Sequence, residues 1–551
     1  MKPQRILLPL DVEFAPQQAL HAGMLSCMYE GGHLRNIMFG ETELIQMLYS
    51  ALRDHNWQTI PFTITDEKIT VKDNGFFISY TALYQKDDIS FKSEFEIEGN
   101  ADNSIRFKMN GEALSTFMRN RIGLCVHHPI NECAGKEVTI QHTNGNIETA
   151  VFPKLISPHQ PFVDISTMQW GTSNGIQVTL SFVGDSFETE DQRNWTDSSY
   201  KTYGTPLSLP FPAAIKVGDK VIQEITLQVN NSVDVIADKK SITVQEERFP
   251  FPAIGYNHGN HFRVLTTEEI SQLSKIPLHH LRIELEVDNP AWMDRLQIAL
   301  TNVQALKTGL ELVICFAEAL TNTFVAELTA RLLAVRHTIS TTIILINKSK
   351  DGAVYKRYKP AYHALKNLLP DCLIGYATDE HFAALNRNRP GDDAFDFVSF
   401  NIHPQVHASD NKTIIENLRH QGDTILTAKH FTKGKPVHIS PISLGNSYSD
   451  SQLQKVNIDP RQNTWFAAAW MLLSIQNLAE AASLTYFELL GDDSNLATQT
   501  QQGPVFQLLV WLKEFEPVFI IRREIGDNNY LMDGVLFENK LGAKMFFEVP
   551  V

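Results

Sequence analysis

Between about residues 250 and 490, short apolar runs recur eight times, and nearly every gap between them has helical periodicity. The runs are Pro252 to Tyr256, Leu281 to Leu285, Leu310 to Phe316, Thr342 to Ile346, Cys372 to Tyr376, Phe395 to Phe400, Pro436 to Ile439 and Leu484 to Phe487. Parallel strands bury both faces and need crossover helices, so eight such repeats predict a (β/α)8 TIM barrel. Helix signals in the gaps agree. Thr266-Thr267-Glu268-Glu269 is a capping box, and Asn289-Pro290 opens a helix whose Met293, Leu296, Leu300 and Val303 share one face.

The first 245 residues follow a different period. Lys68 to Lys72, Phe76 to Tyr84, Ile89 to Ile97 and Ile176 to Phe182 alternate apolar with polar and are separated by Asn, Asp and Gly turns. That pattern predicts an N-terminal antiparallel β-sandwich over residues 1–245, with Phe249-Pro250-Phe251-Pro252 as a stiff lead into the barrel domain, 246–512. Strand character returns in Phe519 to Arg523, Tyr530 to Phe537 and Lys544 to Val549, with Gly526-Asp527-Asn528-Asn529 as a turn, predicting a small C-terminal β-unit over 513–551. The fold class is therefore α/β and β, in several domains.

Composition narrows the function. With 551 residues, 43% apolar and 10% aromatic, the chain can bury two or three cores. A formal charge of −15 and the lack of any basic cluster beyond pairs such as Arg522-Arg523 argue against a nucleic-acid partner and leave a neutral, sugar-like ligand compatible. The five cysteines (Cys27, Cys125, Cys133, Cys315 and Cys372) are dispersed, with no CxxC pair, which fits a reducing cytoplasm better than a disulfide framework. Met1 to Phe14 holds no signal-peptide core, and the longest apolar stretch, Trp465 to Leu473, is far short of the roughly 20 residues of a membrane span. No membrane partner is expected, and the oligomeric state stays open. Without a secretion signal, the sequon Asn194-Trp195-Thr196 has no acceptor role.

In a TIM barrel the chemistry sits at the C-terminal ends of the strands. Those ends carry a polar ring: His258 and His261, then Arg282 and Glu284, Asn347 and Lys348, Asp379 and Glu380, Asn401 and His403, and Glu488. A carboxylate there can serve as general acid or base, and a neighbouring cation can stabilise an oxyanion; the plainer reading is a barrel ion pair such as Arg282 with Glu284. His258, His261, His403 and His407, with Asp379, raise a metal site, but the spacing is unspecific, Pro404 interrupts the second pair and HExxH is absent. No metal and no cofactor are therefore expected. Glu188 to Tyr203 packs four carboxylates, two cations and three aromatics into sixteen residues. Such density suits a polyol or lactone, or else a rigid network closing a domain interface.

Several stretches together carry a family resemblance: Arg53-Asp54-His55-Asn56-Trp57, Cys125 to Gly135, Ile156 to Phe162, Glu190 to Tyr203, Thr378-Asp379 with Phe382 to Arg387, Asn401 to Ala408, and Thr485-Tyr486-Phe487-Glu488. With these the chain resembles the bacterial D-apionate lactonases. The resemblance implies a β-sandwich, a TIM barrel and a C-terminal β-unit, with hydrolysis of the sugar lactone D-apionolactone to D-apionate in apiose breakdown. The chain departs from the family pattern at two places: Leu444-Gly445-Asn446-Ser447 stands where a basic residue and Arg-Phe-Asn are expected, and Leu489-Leu490-Gly491-Asp492 where Trp and Arg are. Catalysis is assigned to Glu284 and Glu488, with Asp379 or His403 as alternatives. Substrate binding is assigned to Arg282, Glu190, Arg193, Asn194, Lys201 and Asn401, with Arg282 or Lys201 at the oxyanion. Glu190, Arg193, Asn194 and Lys201 are expected near the barrel mouth. The rival readings are a barrel glycosidase, which needs a carboxylate pair at the ends of the fourth and seventh strands, and a non-catalytic carbohydrate-binding paralogue.

Overall fold

The computed structural model describes residues 4–231, 244–259, 262–348, 354–445, 459–487, 489, 503–525 and 534–550. The chain is mostly β and divides into two compact units, one made of Met1–Glu13, Arg193–Asp197 and Ile242–Val551, the other of Phe14–Gln192 and Ser198–Ser241. No helix among the described residues is long and apolar enough to cross a membrane.

The second unit is an antiparallel β-rich domain in which seventeen strands form one hydrogen-bonded network around one core. Period-2 alternation does the work there. Along Gly75–Lys86, Phe76, Ile78, Tyr80, Ala82 and Tyr84 turn inward; along Ile89–Asn100, so do Phe91, Phe95 and Ile97. Phe76 lies opposite Gly99, where a Cβ would come within 2.3 Å of the ring, so a side chain at 99 would displace a core aromatic.

In the first unit, all eight apolar runs form strands: Ala253–Asn257, His280–Glu286, Gly309–Phe316, Thr341–Asn347, Leu373–His381, Phe397–Ile402, Val437–Ile442 and Ser483–Tyr486. They close a parallel barrel, the first strand pairing with the eighth through Ala253 to Ser483 and Tyr256 to Tyr486. Register shifts fall between Ala377 and His381, Phe400 and Ile402, and Ile439 and Ile442, near the C-terminal ends. Bulges of this kind re-aim side chains beside active sites. The capping box is present, with Thr266 and Glu269 exchanging hydrogen bonds of 3.2 and 2.8 Å at the start of helix Thr267–Leu273. Of the predicted face, helix Trp292–Leu306 buries Leu296, Leu300 and Val303 and leaves Met293 half-buried, with Trp292 buried instead.

A five-stranded sheet completes this unit, in the order Gln4–Leu7, Lys544–Glu548, Gly534–Asn539, Pro517–Ile525, Val244–Pro250. It draws in two segments that the periodicity reading places with the N-terminal domain or its lead. Gln4–Leu7 pairs in parallel with Lys544–Glu548, and Val244–Pro250 pairs antiparallel with Pro517–Ile525. Asp11 then caps helix Trp465–Asn477, its carboxylate accepting from the backbone N–H groups of Trp465 and Phe466 at 3.0 and 2.9 Å. Such pairing across most of the chain leaves no local signal, since each edge is completed by a distant strand. The expected turn at Gly526 to Asn529 lies outside the described residues.

Candidate functional site

The second barrel strand sets the geometry. Its alternation turns Leu281, Ile283 and Leu285 to one face, all fully or almost fully buried, and Arg282, Glu284 and Glu286 to the other. Lys348 follows the fourth strand, its backbone N–H tied to the carbonyl of Phe316 at 2.9 Å. Its ammonium lies 3.3 Å from Glu284 Oε1, 3.6 Å from Glu286 Oε1 and 3.8 Å from Asp379 Oδ2. Burial alone would lower the Lys348 pKa, but the carboxylates of Glu284, Asp379 and Glu286 outweigh it and raise it, so the group stays a cation. Cys315 on the third strand donates to Glu284 Oε1 at 3.2 Å, and burial beside that carboxylate pushes its thiol up, which keeps it protonated.

Asp379 belongs to the fifth strand, and Asn401 on the sixth donates to the Asp379 carbonyl at 3.0 Å. His403, just past the sixth strand, is buried and meets the ring of His381 edge-on at 4.4 Å. Burial, then His381, pushes His403 down to about 3; burial pushes His381 down to about 4. Both rings are neutral near pH 7, and His403 is a weak base.

Beneath this layer lies a buried polar cluster that the sequence reading passes over. Glu311, inside the third apolar run, accepts hydrogen bonds from Ser440 and, at 3.0 Å, from Thr485; His280 Nε2 and His438 Nδ1 stand at 3.7 and 3.9 Å. Burial would raise its pKa, but the two histidines and Ser440 win and hold it down at about 2. Arg282 is 1% exposed and bridges the cluster to the mouth. It donates to Ser440 Oγ at 3.1 Å, Asn257 Oδ1 at 3.2 Å and Glu284 Oε2 at 3.4 Å, and stands 3.9 Å from Glu311. The available signal was a carboxylate within an apolar run, which must find partners. At Gly255 a Cβ would sit 2.0 Å from the His280 ring, so the first strand stays bare where the cluster needs room.

Arg193–Asp197 belongs by its contacts to the barrel unit although Gln192 and Ser198 belong to the other. Arg193 binds Asp423 at 2.7 Å, Asn194 accepts from Asn386 at 3.0 Å, and Asp197 holds His407 and, at 2.7 Å, Asn417. Trp195 meets His381 edge-on at 5.4 Å, with the Arg387 guanidinium over its ring at 5.6 Å. Glu190 and Lys201 belong to the β-rich unit, where they form an ion pair across neighbouring strands.

Glu488 and His261 lie outside the described residues. The remaining histidines of the metal reading do not converge: His258 bonds Asn302 at 3.0 Å and His407 bonds Asp197. No group of three or more His, Cys, Asp or Glu fit to hold a metal occurs among the described residues. The fourth strand ends in Asn347 followed by Lys348, and the seventh in Ile442 followed by Ser443, so the carboxylate pair of a barrel glycosidase is not at those positions.

Residues 7–232 match the family described as D-apionate lactonase, N-terminal domain, and residues 258–517 match D-apionate lactonase, TIM barrel domain. A D-apionate lactonase from Brucella anthropi is 27% identical over 86% of this chain and 82% of its own length. Among solved structures, a family 51 α-L-arabinofuranosidase from Bifidobacterium longum is 8% identical, covering 55% of this chain and 82% of that one, with a TM-score of 0.40.

Proposed function

Because the chain belongs to the D-apionate lactonase family, we propose that it hydrolyses a five-membered sugar lactone, D-apionolactone, to the open-chain acid in apiose breakdown. The observation that carries the chemistry is the Lys348 ammonium among Glu284, Glu286 and Asp379 where barrel chemistry sits.

Water activated by a carboxylate attacks the lactone carbonyl, negative charge develops on the carbonyl oxygen, and the ring oxygen leaves with a proton. We assign the base to Glu284, with Asp379 as the alternative, and the acid for the ring oxygen to Glu488. Lys348 replaces Arg282 at the oxyanion, because Arg282 is buried and tied to Ser440 and Asn257, whereas Lys348 is 23% exposed. His403, with its pKa near 3, is the poorer base. Asn401, Glu190 and Lys201 keep a proposed substrate-binding role. Arg193 and Asn194, already bonded to Asp423 and Asn386, fit that role indirectly, by holding Trp195 in place. The five free cysteines support a reducing cytoplasm as the setting.

The test is proton release from purified protein with D-apionolactone and a panel of aldonolactones, with and without chelator. Turnover of five-membered sugar lactones is expected. Binding by calorimetry without turnover across the panel would make the protein a binding paralogue, and sugar release from aryl glycosides instead would make it a glycosidase.

A further inference from the structure

The column from Glu311 to Lys348 is buried at its lower end, where bulk solvent screens it little. Glu311 is 2% exposed and Arg282 1%, and Ser440 Oγ touches both, donating to the carboxylate and accepting from the guanidinium. Arg282 divides its charge between Glu311 below, at 3.9 Å, and Glu284 above, at 3.4 Å. Glu284 in turn faces Lys348 and Cys315, and the guanidinium of Arg295 acts on it electrostatically from helix Trp292–Leu306. Glu311 faces His280, His438, Ser440 and Thr485 besides Arg282. One carboxylate thus sits at each end of a single buried cation, and a change in charge at one end changes what the cation offers the other.

We infer that Glu311, with Ser440, is a positioning residue: it holds Arg282 in place and, through it, fixes the orientation and protonation of Glu284, without touching substrate. The inference rests on the lactonase reading only for its kinetic readout. Replacing Glu311 by Gln keeps the side-chain shape and removes the charge. Arg282 is then no longer shared with a second carboxylate, so Glu284 ionises more readily and its orientation shifts toward the guanidinium. The expected result is turnover lower by about tenfold, an acidic limb of the pH profile displaced to lower pH, and recovery of both in E311D, whose carboxylate remains.

Two measurements test this. The Glu284 carboxyl titration is read without substrate, by infrared difference spectroscopy between the protein and its E284Q variant, each with and without E311Q. The pH profile of lactone turnover is read on the same proteins. Displacement of the Glu284 titration to lower pH supports the inference even where no lactone is turned over, a result that would sink the lactonase reading alone. An unmoved titration in folded E311Q overturns the inference and leaves Glu311 a core ion-pair residue. Where E311Q does not fold, S440A removes the hydroxyl that ties Arg282 to Glu311 and frees the guanidinium to turn toward Glu284, so the same titration should again move to lower pH, and an unmoved one overturns the inference.

Discussion

Replacing Lys348 by Met removes one charge at nearly constant length. The ammonium it removes stands 3.3, 3.6 and 3.8 Å from three carboxylate oxygens. At an effective dielectric near 20, a contact at this range amounts to about 4 kcal/mol before desolvation. Glu286 is 45% exposed, so its share is screened to about 1 kcal/mol or less; Glu284, at 23%, is shielded best. The folded protein therefore loses a few kcal/mol of attraction and regains part of it through hydration, for a net destabilisation of roughly 1–3 kcal/mol. The transition state loses more, because Lys348 is the cation assigned to the developing oxyanion. Loss of one oxyanion donor lowers turnover by about 100- to 1000-fold. K348M is therefore expected to keep its fold and most of its affinity for lactone, to lose about two to three orders of magnitude in kcat, and to show an acidic limb moved to higher pH, since the carboxylates have lost their cation. Proton release at saturating lactone measures kcat, and calorimetry with a slowly hydrolysed lactone measures binding. Wild-type kcat in folded K348M would refute the assignment and return the oxyanion role to Arg282 or Lys201.

Arg193, 1% exposed against Asp423 at 2.7 Å, is expected to cost about 3 kcal/mol when changed to Ala, read as a lower urea midpoint with R193K partly restored; a change within 0.5 kcal/mol would make the pair a bystander. His403 and His381 have folded pKa values near 3 and 4, below the roughly 6.5 of an unfolded histidine, so the unfolded chain binds more protons between those values. Stability is then fully present above about pH 6.5 and falls on acidification toward pH 3 to 4, by up to about 1.4 kcal/mol per pH unit for each ring. H403Q should flatten that slope in melts between pH 6.5 and 4.5, and an unchanged slope would show that His403 is not buried as a neutral ring.

The barrel was legible because parallel strands covered on both faces are written as unbroken apolar runs, and every one of the eight became a strand. Arg282, Glu284, Lys348, Asp379, Asn401 and His403 could be read as strand-end polars from position alone. Which of them meet could not, since Lys348 reaches Glu284 across 64 residues and Asp379 from the next strand. Glu311 was hidden for the opposite reason: it looks like one polar interruption in Leu310 to Phe316, and its partners Ser440 and Thr485 lie 129 and 174 residues away. Arg193 to Asp197 was singled out by charge density, but its partners, on helices Phe382–Arg387 and Gln421–Phe431 and at His407 and Asn417, carry no pattern of their own.

Gln4–Leu7 and Lys544–Glu548 pair in parallel across about 540 residues. During synthesis the first of these strands leaves the ribosome at ordinary elongation rates of about 5–20 residues per second, so it waits on the order of half a minute to two minutes for its partner. Through that interval Arg5 and Ile6 have no sheet to join, and Asp11 has no helix to cap until Trp465 and Phe466 appear. The β-rich domain can close its own network meanwhile, because its strands, bounded by Phe14 and Ser241, pair among themselves. The five-stranded sheet consequently locks only after the barrel strands have been made, and a chaperone that shields an unpaired edge would act there, on a strand made long before its partner.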